Sequence, residues 1–158
     1  MSNLYFTISA FFVSFLLLIM FFSKERIKSH ETKMFKGLLI TSFVDTICMF
    51  VIIYTAYKNP SNITLMEIFN KIDFIQYLFW AYFFFLYLFY ISIQSKSNLV
   101  KSIGKIMFAL NVIISLIIII SPIEIHTANN IMYASGASVN TLYVSCAFYL
   151  ISSIIVET

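Results

Sequence analysis

Apolar residues in this chain fall into five long blocks separated by short polar stretches. The blocks run over residues 4–22, 38–57, 74–94, 106–123 and 141–156. Four of them hold no charged residue, and the second holds one, Asp45. A helix that crosses a bilayer needs about 20 mostly apolar residues. Each block therefore predicts a membrane-spanning helix, the fourth broken near its end by Pro122. Apolar side chains cover every helical face of these blocks, so the helices must meet lipid or one another all round. Strands of a membrane barrel would instead alternate over about 10 residues. The pattern predicts an all-α, polytopic membrane helical bundle of five spans, forming a single membrane domain over residues 1–158.

The polar stretches differ in kind. Residues 23–37 read as helical extensions of the first two spans, with Glu31 placed to pair with Lys24 and Lys28. Residues 62–74 carry Leu65, Ile68, Phe69 and Ile72 at helical spacing after the start signal Pro60-Ser61-Asn62. This segment either lies along the outer interface or lengthens the third helix. Residues 127–140, with Asn129, Asn130, Ser135, Gly136 and Ser138, read as an outer polar loop. The first block is not a signal peptide. No Lys or Arg precedes it, and it ends in Ser23-Lys24-Glu25-Arg26 without a small-residue cleavage pattern.

Charge then orients the bundle. Lys24, Arg26, Lys28, Lys33, Lys36, Lys96, Lys101 and Lys105 belong to two loops on one side, while only Lys58 and Lys71 lie on the other. Basic residues concentrate in cytoplasmic loops. The N-terminus is expected outside, with both basic loops and Thr158 in the cytoplasm.

Composition narrows the function classes. The chain of 158 residues is 61% hydrophobic and 11% charged, against roughly 45–50% and 25% for a soluble domain. That excludes a soluble enzyme, a secreted disulfide domain and a disordered tail. Nine of the ten basic residues are Lys, and 18 residues are Phe. This usage suggests an AT-rich gene and so a low-GC bacterium, which places the chain in the bacterial cytoplasmic membrane. Cys48 and Cys146 lie within apolar blocks, and no Cys/His cluster has metal spacing. No P-loop, GxSxG or HExxH motif occurs. No catalytic residue, metal site or cofactor is expected, and no nucleic-acid partner.

Few residues are left to carry chemistry. Asp45 is the sole ionisable group within the predicted spans, about 4 Å along the axis from the middle of the second. A carboxyl there costs about 2.5–3.5 kcal/mol on insertion scales. It is read either as a proton- or ligand-responsive group or as a hydroxyl-bonded packing residue. Asn111 and Ser115 lie one turn apart on the fourth span. They predict a helix–helix hydrogen bond of about 0.6–2 kcal/mol or a ligand-contacting stripe. The third span is densely aromatic from Tyr77 to Tyr90, and Trp80 and Tyr82 are its candidates for lining a pocket. Ala10/Ser14 and Thr141/Ser145 are small-residue pairs that permit close helix approach.

The stretch Phe21-Phe-Ser-Lys-Glu-Arg-Ile-Lys-Ser-His-Glu-Thr-Lys-Met-Phe-Lys-Gly-Leu-Leu-Ile40, with Leu86–Ser92 and Tyr133–Asn140, resembles the N-terminal multi-span sensor region of sensor histidine kinases of Firmicutes. The resemblance implies a sixth helix and cytoplasmic dimerisation and ATP-binding domains, of which these residues would be the input fragment. It implies a homodimer in the lipid bilayer that signals to a cognate response regulator. Two other readings stay open: a small proton-coupled transporter or permease component using Asp45, and the membrane input domain of a diguanylate cyclase.

Overall fold

The computed structural model describes residues 2–25, 29–58, 62–92, 98–128 and 131–157. Five helices account for most of them: α1 (Ser2–Phe22), α2 (His30–Lys58), α3 (Ile63–Ser92), α4 (Asn98–Ile120) and α5 (Ala137–Glu157). Two strands, β1 (Glu124–Ala128) and β2 (Ile131–Ser135), stand between α4 and α5. All five helices are long and apolar enough to cross a membrane. The chain is an all-α bundle of a multi-pass membrane protein, as its pattern predicts.

The helices outrun the apolar blocks where polar residues supply caps. Ser29 starts α2: its Oγ accepts from the Thr32 amide at 3.1 Å. Asn62 starts α3 in the same way, its Oδ1 accepting from the Leu65 amide at 3.1 Å. Residues 62–74 therefore lengthen the third helix. At about 1.5 Å per residue, α2 and α3 are each roughly 44 Å long. Residues 30–37 extend the second span as expected, but α1 stops at Phe22. Lys24 lies outside both helices and does not pair with Glu31; Lys28 lies outside the described residues.

The expected outer loop is mostly ordered backbone. β1 and β2 pair antiparallel, Glu124 opposite Ser135 and His126 opposite Tyr133. Alternate backbone groups of this stretch thus bond one another. Asn129 and Asn130 fall outside the described residues. α4 ends at Ile120, two residues before Pro122, which has no amide hydrogen to continue a helix. Gly136, at φ +110°, then redirects the chain into α5, its Cα facing the Pro122 carbonyl so closely that a Cβ would come within 3.0 Å of that oxygen. Ser138 closes the corner, its hydroxyl 2.9 Å from the carbonyls of both Ile118 and Ser121.

α3 is the central helix. Phe74, Leu78, Ala81, Tyr82, Phe85, Leu86 and Phe89 recur at spacings of three and four and are buried against α4 and α5, where Ile118, Val139, Leu142 and Tyr149 complete the core. Its other side packs on α2. α1 packs chiefly on α2, through Phe11 and Phe15 against Phe43 and Phe11 against Phe50. Phe6, Val13, Leu17 and Met20 of α1 are left exposed. In water that surface would be a liability; in a bilayer it is the lipid contact.

Candidate functional site

α2 and α3 run antiparallel from a short connection at residues 59–61. Positions nearly equidistant from it therefore face each other. His30 meets Tyr90, Phe35 meets Tyr87, and the Gln76 amide donates to the Thr41 carbonyl at 3.0 Å. The Trp80 indole donates to Ser42 Oγ at 3.0 Å. At Gly37 the helices come so close that a Cβ would sit 2.7 Å from the Phe83 ring.

The same register brings Asp45 to Asp73. The two carboxyls lie within electrostatic reach of each other. Asp73 is only 4% exposed. One oxygen of each carboxyl, Oδ1, is buried without a partner. Asp45 remains the one charged residue within the apolar blocks, but α3 begins before its block and carries Asp73, Lys71 and Glu67 in the same helix. The apolar block begins at Phe74, and it hid them because the helix starts eleven residues earlier, at Ile63. Cys48 of α2 and Tyr77 of α3 lie within electrostatic reach of both acids. Among the described residues no Lys, Arg or His pairs with either carboxyl. Lys71 is bound instead to Glu67 at 3.0 Å and to the Ile119 carbonyl at 2.9 Å, at the C-terminal end of α4.

Two facing carboxyls can hydrogen-bond only when a proton lies between them, because a carboxylate accepts and does not donate. Two unit negative charges about 4 Å apart would repel by about 4 kcal/mol even at an effective dielectric near 20.

A second polar cluster lies on the far side of α3. Asn111 of α4 and Tyr149 of α5 are both 0% exposed. The Tyr149 hydroxyl is 3.2 Å from Asn111 Oδ1 and 3.4 Å from the Met107 carbonyl. Asn111 Nδ2 is buried without a partner. The helix–helix bond expected of Asn111 is present. Ser115 makes none: it donates to the Asn111 carbonyl of its own helix at 2.8 Å. Tyr82 reaches this cluster through its ring, 6.2 Å from that of Tyr149.

The five sequence candidates thus divide between two seams. Asp45 and Trp80 lie on the α2–α3 seam; Asn111, Ser115 and Tyr82 lie between α3, α4 and α5. Sequence reasoning missed Asp73 and Tyr149. The signal for Asp73 was its distance from the α2–α3 connection, nearly equal to that of Asp45. Tyr149 looks like any other aromatic in an apolar block and carried no signal. No family model, curated protein or solved structure matches this chain. The five long apolar helices and the two buried polar seams between them define a multi-pass membrane helical bundle.

Proposed function

We propose that this chain is the membrane signal-input module of a bacterial two-component sensor histidine kinase. It lies in the cytoplasmic membrane with its N-terminus outside and acts as a homodimer on a kinase part that addresses a response regulator. The observation that carries the reading is that α3 is shared by both polar seams. A change in pairing on the α2 side displaces the helix against which α4 and α5 pack. Packed helices respond to such changes by shifts of about 1–2 Å, and a shift of that size passed along α5 is an output. The resemblance over residues 21–40 and the sorting of basic residues to the helix ends opposite the hairpin support the same reading.

The test is a chimera in which these 158 residues replace the membrane region of a sensor kinase with a known reporter. Reporter output should change with an applied stimulus, and Asp73→Asn or Tyr149→Phe should shift its set point. A chimera that inserts and dimerises yet gives constant output across stimuli and variants refutes the reading. A fluorescent tag at the N-terminus should be accessible from outside intact spheroplasts.

The carboxyl pair favours a second reading, a small proton-coupled transporter or permease component working through Asp45. Vesicles carrying the protein and an internal pH dye would then acidify when substrate is added. Asp45→Asn would abolish the flux, and silent wild-type vesicles would end this reading.

A further inference from the structure

We propose that Asp45 and Asp73 bind one proton between them, and that this shared proton fastens α2 to α3 across the seam. The proposal does not depend on whether the chain is a sensor input or a transporter part. It starts from the donors available on the seam. The Gln76 amide is committed to the Thr41 carbonyl and the Trp80 indole to Ser42. The Thr41 hydroxyl donates within its own helix, to the Gly37 and Leu38 carbonyls. The Thr46 hydroxyl lies 2.7 Å from the Phe43 carbonyl and 3.5 Å from Ser14 of α1. Lys71, two residues from Asp73, is held by Glu67 and the end of α4. Among the described residues no cation stands ready to neutralise the pair, and the Gln76, Trp80, Thr41 and Thr46 donors are bonded elsewhere.

Yet the acids are placed to meet. Asp73 is more than nine-tenths buried, and its Oδ1 has no partner. The matching oxygen of Asp45 is likewise buried and unpartnered. Buried polar groups in a bilayer must find partners among themselves, and intramembrane acids characteristically pair with one another. Here a proton is the missing donor. The titratable groups facing the pair are Cys48 from α2 and Tyr77 from α3, with Tyr143 of α5 reaching Tyr77. α1 offers Ser14, which does not titrate in water's range. None of these is a cation, and none makes a hydrogen bond to the buried Oδ1 of either acid. When the proton leaves to water, two carboxylates remain face to face and the seam loses its fastening. The two acids then act as one coupled site.

The test uses the full chain in phosphatidylethanolamine–phosphatidylglycerol vesicles. Dicyclohexylcarbodiimide reacts with protonated carboxyls in apolar surroundings, and peptide mass mapping locates the adduct. At most one adduct per chain is expected, on Asp45 or Asp73, with yield falling as pH rises. Trp80 is the chain's single tryptophan and lies on the same seam. Its emission should shift over the same pH interval, and the shift should vanish in Asp45→Asn/Asp73→Asn. Should that double variant fail to fold, the wild-type labelling and the Trp80 titration still decide. No adduct on either acid at any pH overturns the proposal, as do adducts on both acids of one chain. Loss of the adduct on adding sodium at constant pH would also overturn it, by assigning the site to a metal cation.

Discussion

Tyr149→Phe and Asn111→Leu act on the same hydrogen bond and should have opposite consequences. Tyr149 donates to Asn111 Oδ1 at 3.2 Å, with both residues fully buried. Removing the hydroxyl leaves Oδ1 without its donor while Nδ2 already lacks an acceptor. A buried polar atom stripped of its partner costs about 1–3 kcal/mol in soluble proteins, and interhelical bonds in a membrane average about 0.6 kcal/mol with a maximum of about 1.7. Tyr149→Phe is therefore expected to cost about 1 kcal/mol. Asn111→Leu deletes the acceptor, but it also deletes the unpartnered Nδ2. The Tyr149 hydroxyl keeps a partner by turning to the Met107 carbonyl, 3.4 Å away. The change should be neutral or stabilising by up to about 1 kcal/mol, less what the bulkier side chain needs to fit. Thermal unfolding in detergent micelles can be followed with a thiol-reactive dye, because Cys48 and Cys146 are both free and half-buried. For a chain of this size 1 kcal/mol corresponds to about 2–4 °C. Tyr149→Phe should also cost less in the Asn111→Leu background than alone, which a double-mutant cycle measures. A larger fall in Tm for Asn111→Leu than for Tyr149→Phe would refute the reasoning, because the amide would then be contributing more than its single bond.

Three further substitutions probe the frame that positions the seams. Gly37→Ala places a methyl 2.7 Å from the Phe83 ring; it should cost about 1–3 kcal/mol, and Phe83→Leu should restore most of the lost Tm. Gly136→Ala forces a side chain into φ +110° against the Pro122 carbonyl, and should destabilise by about 1–3 kcal/mol in the same dye assay. Ser138→Ala strips the carbonyls of Ile118 and Ser121, at the end of α4, of a shared donor; a loss of about 1 kcal/mol is expected, whereas an unchanged Tm would mean that Lys71 on the Ile119 carbonyl suffices to cap that end.

Much of the architecture was legible because membrane solvation acts on single residues. An apolar block of sufficient length forms a helix whatever its neighbours are, and among the described residues each of the five blocks is helical over most of its length, the fourth only as far as Ile120. The ends were less legible. Helix starts at Ser29 and Asn62 depend on one capping side chain each, and these lie outside the apolar blocks. Residues 124–128 and 131–135 look polar and irregular in sequence, yet cross-strand pairing makes them two antiparallel strands. The site divided along the same line. Asp45 and Asn111 stood out as polar residues in apolar blocks. Asp73 did not, because it sits one residue before the block that hid the start of α3.

By itself, then, the sequence determined that this chain is a multi-pass membrane protein, where its five apolar helices lie and which connections carry the positive charge. Each of those follows from the cost of placing a given residue in hydrocarbon. Only the tertiary structure decided which polar residues are partners. It brought Asp45 beside Asp73, bonded Tyr149 to Asn111, and sent Ser115 back to its own backbone. Partnership depends on helix rotation and antiparallel register. Those are set by contacts such as Gly37 on Phe83 and Gln76 on Thr41, which act between segments rather than on any one of them.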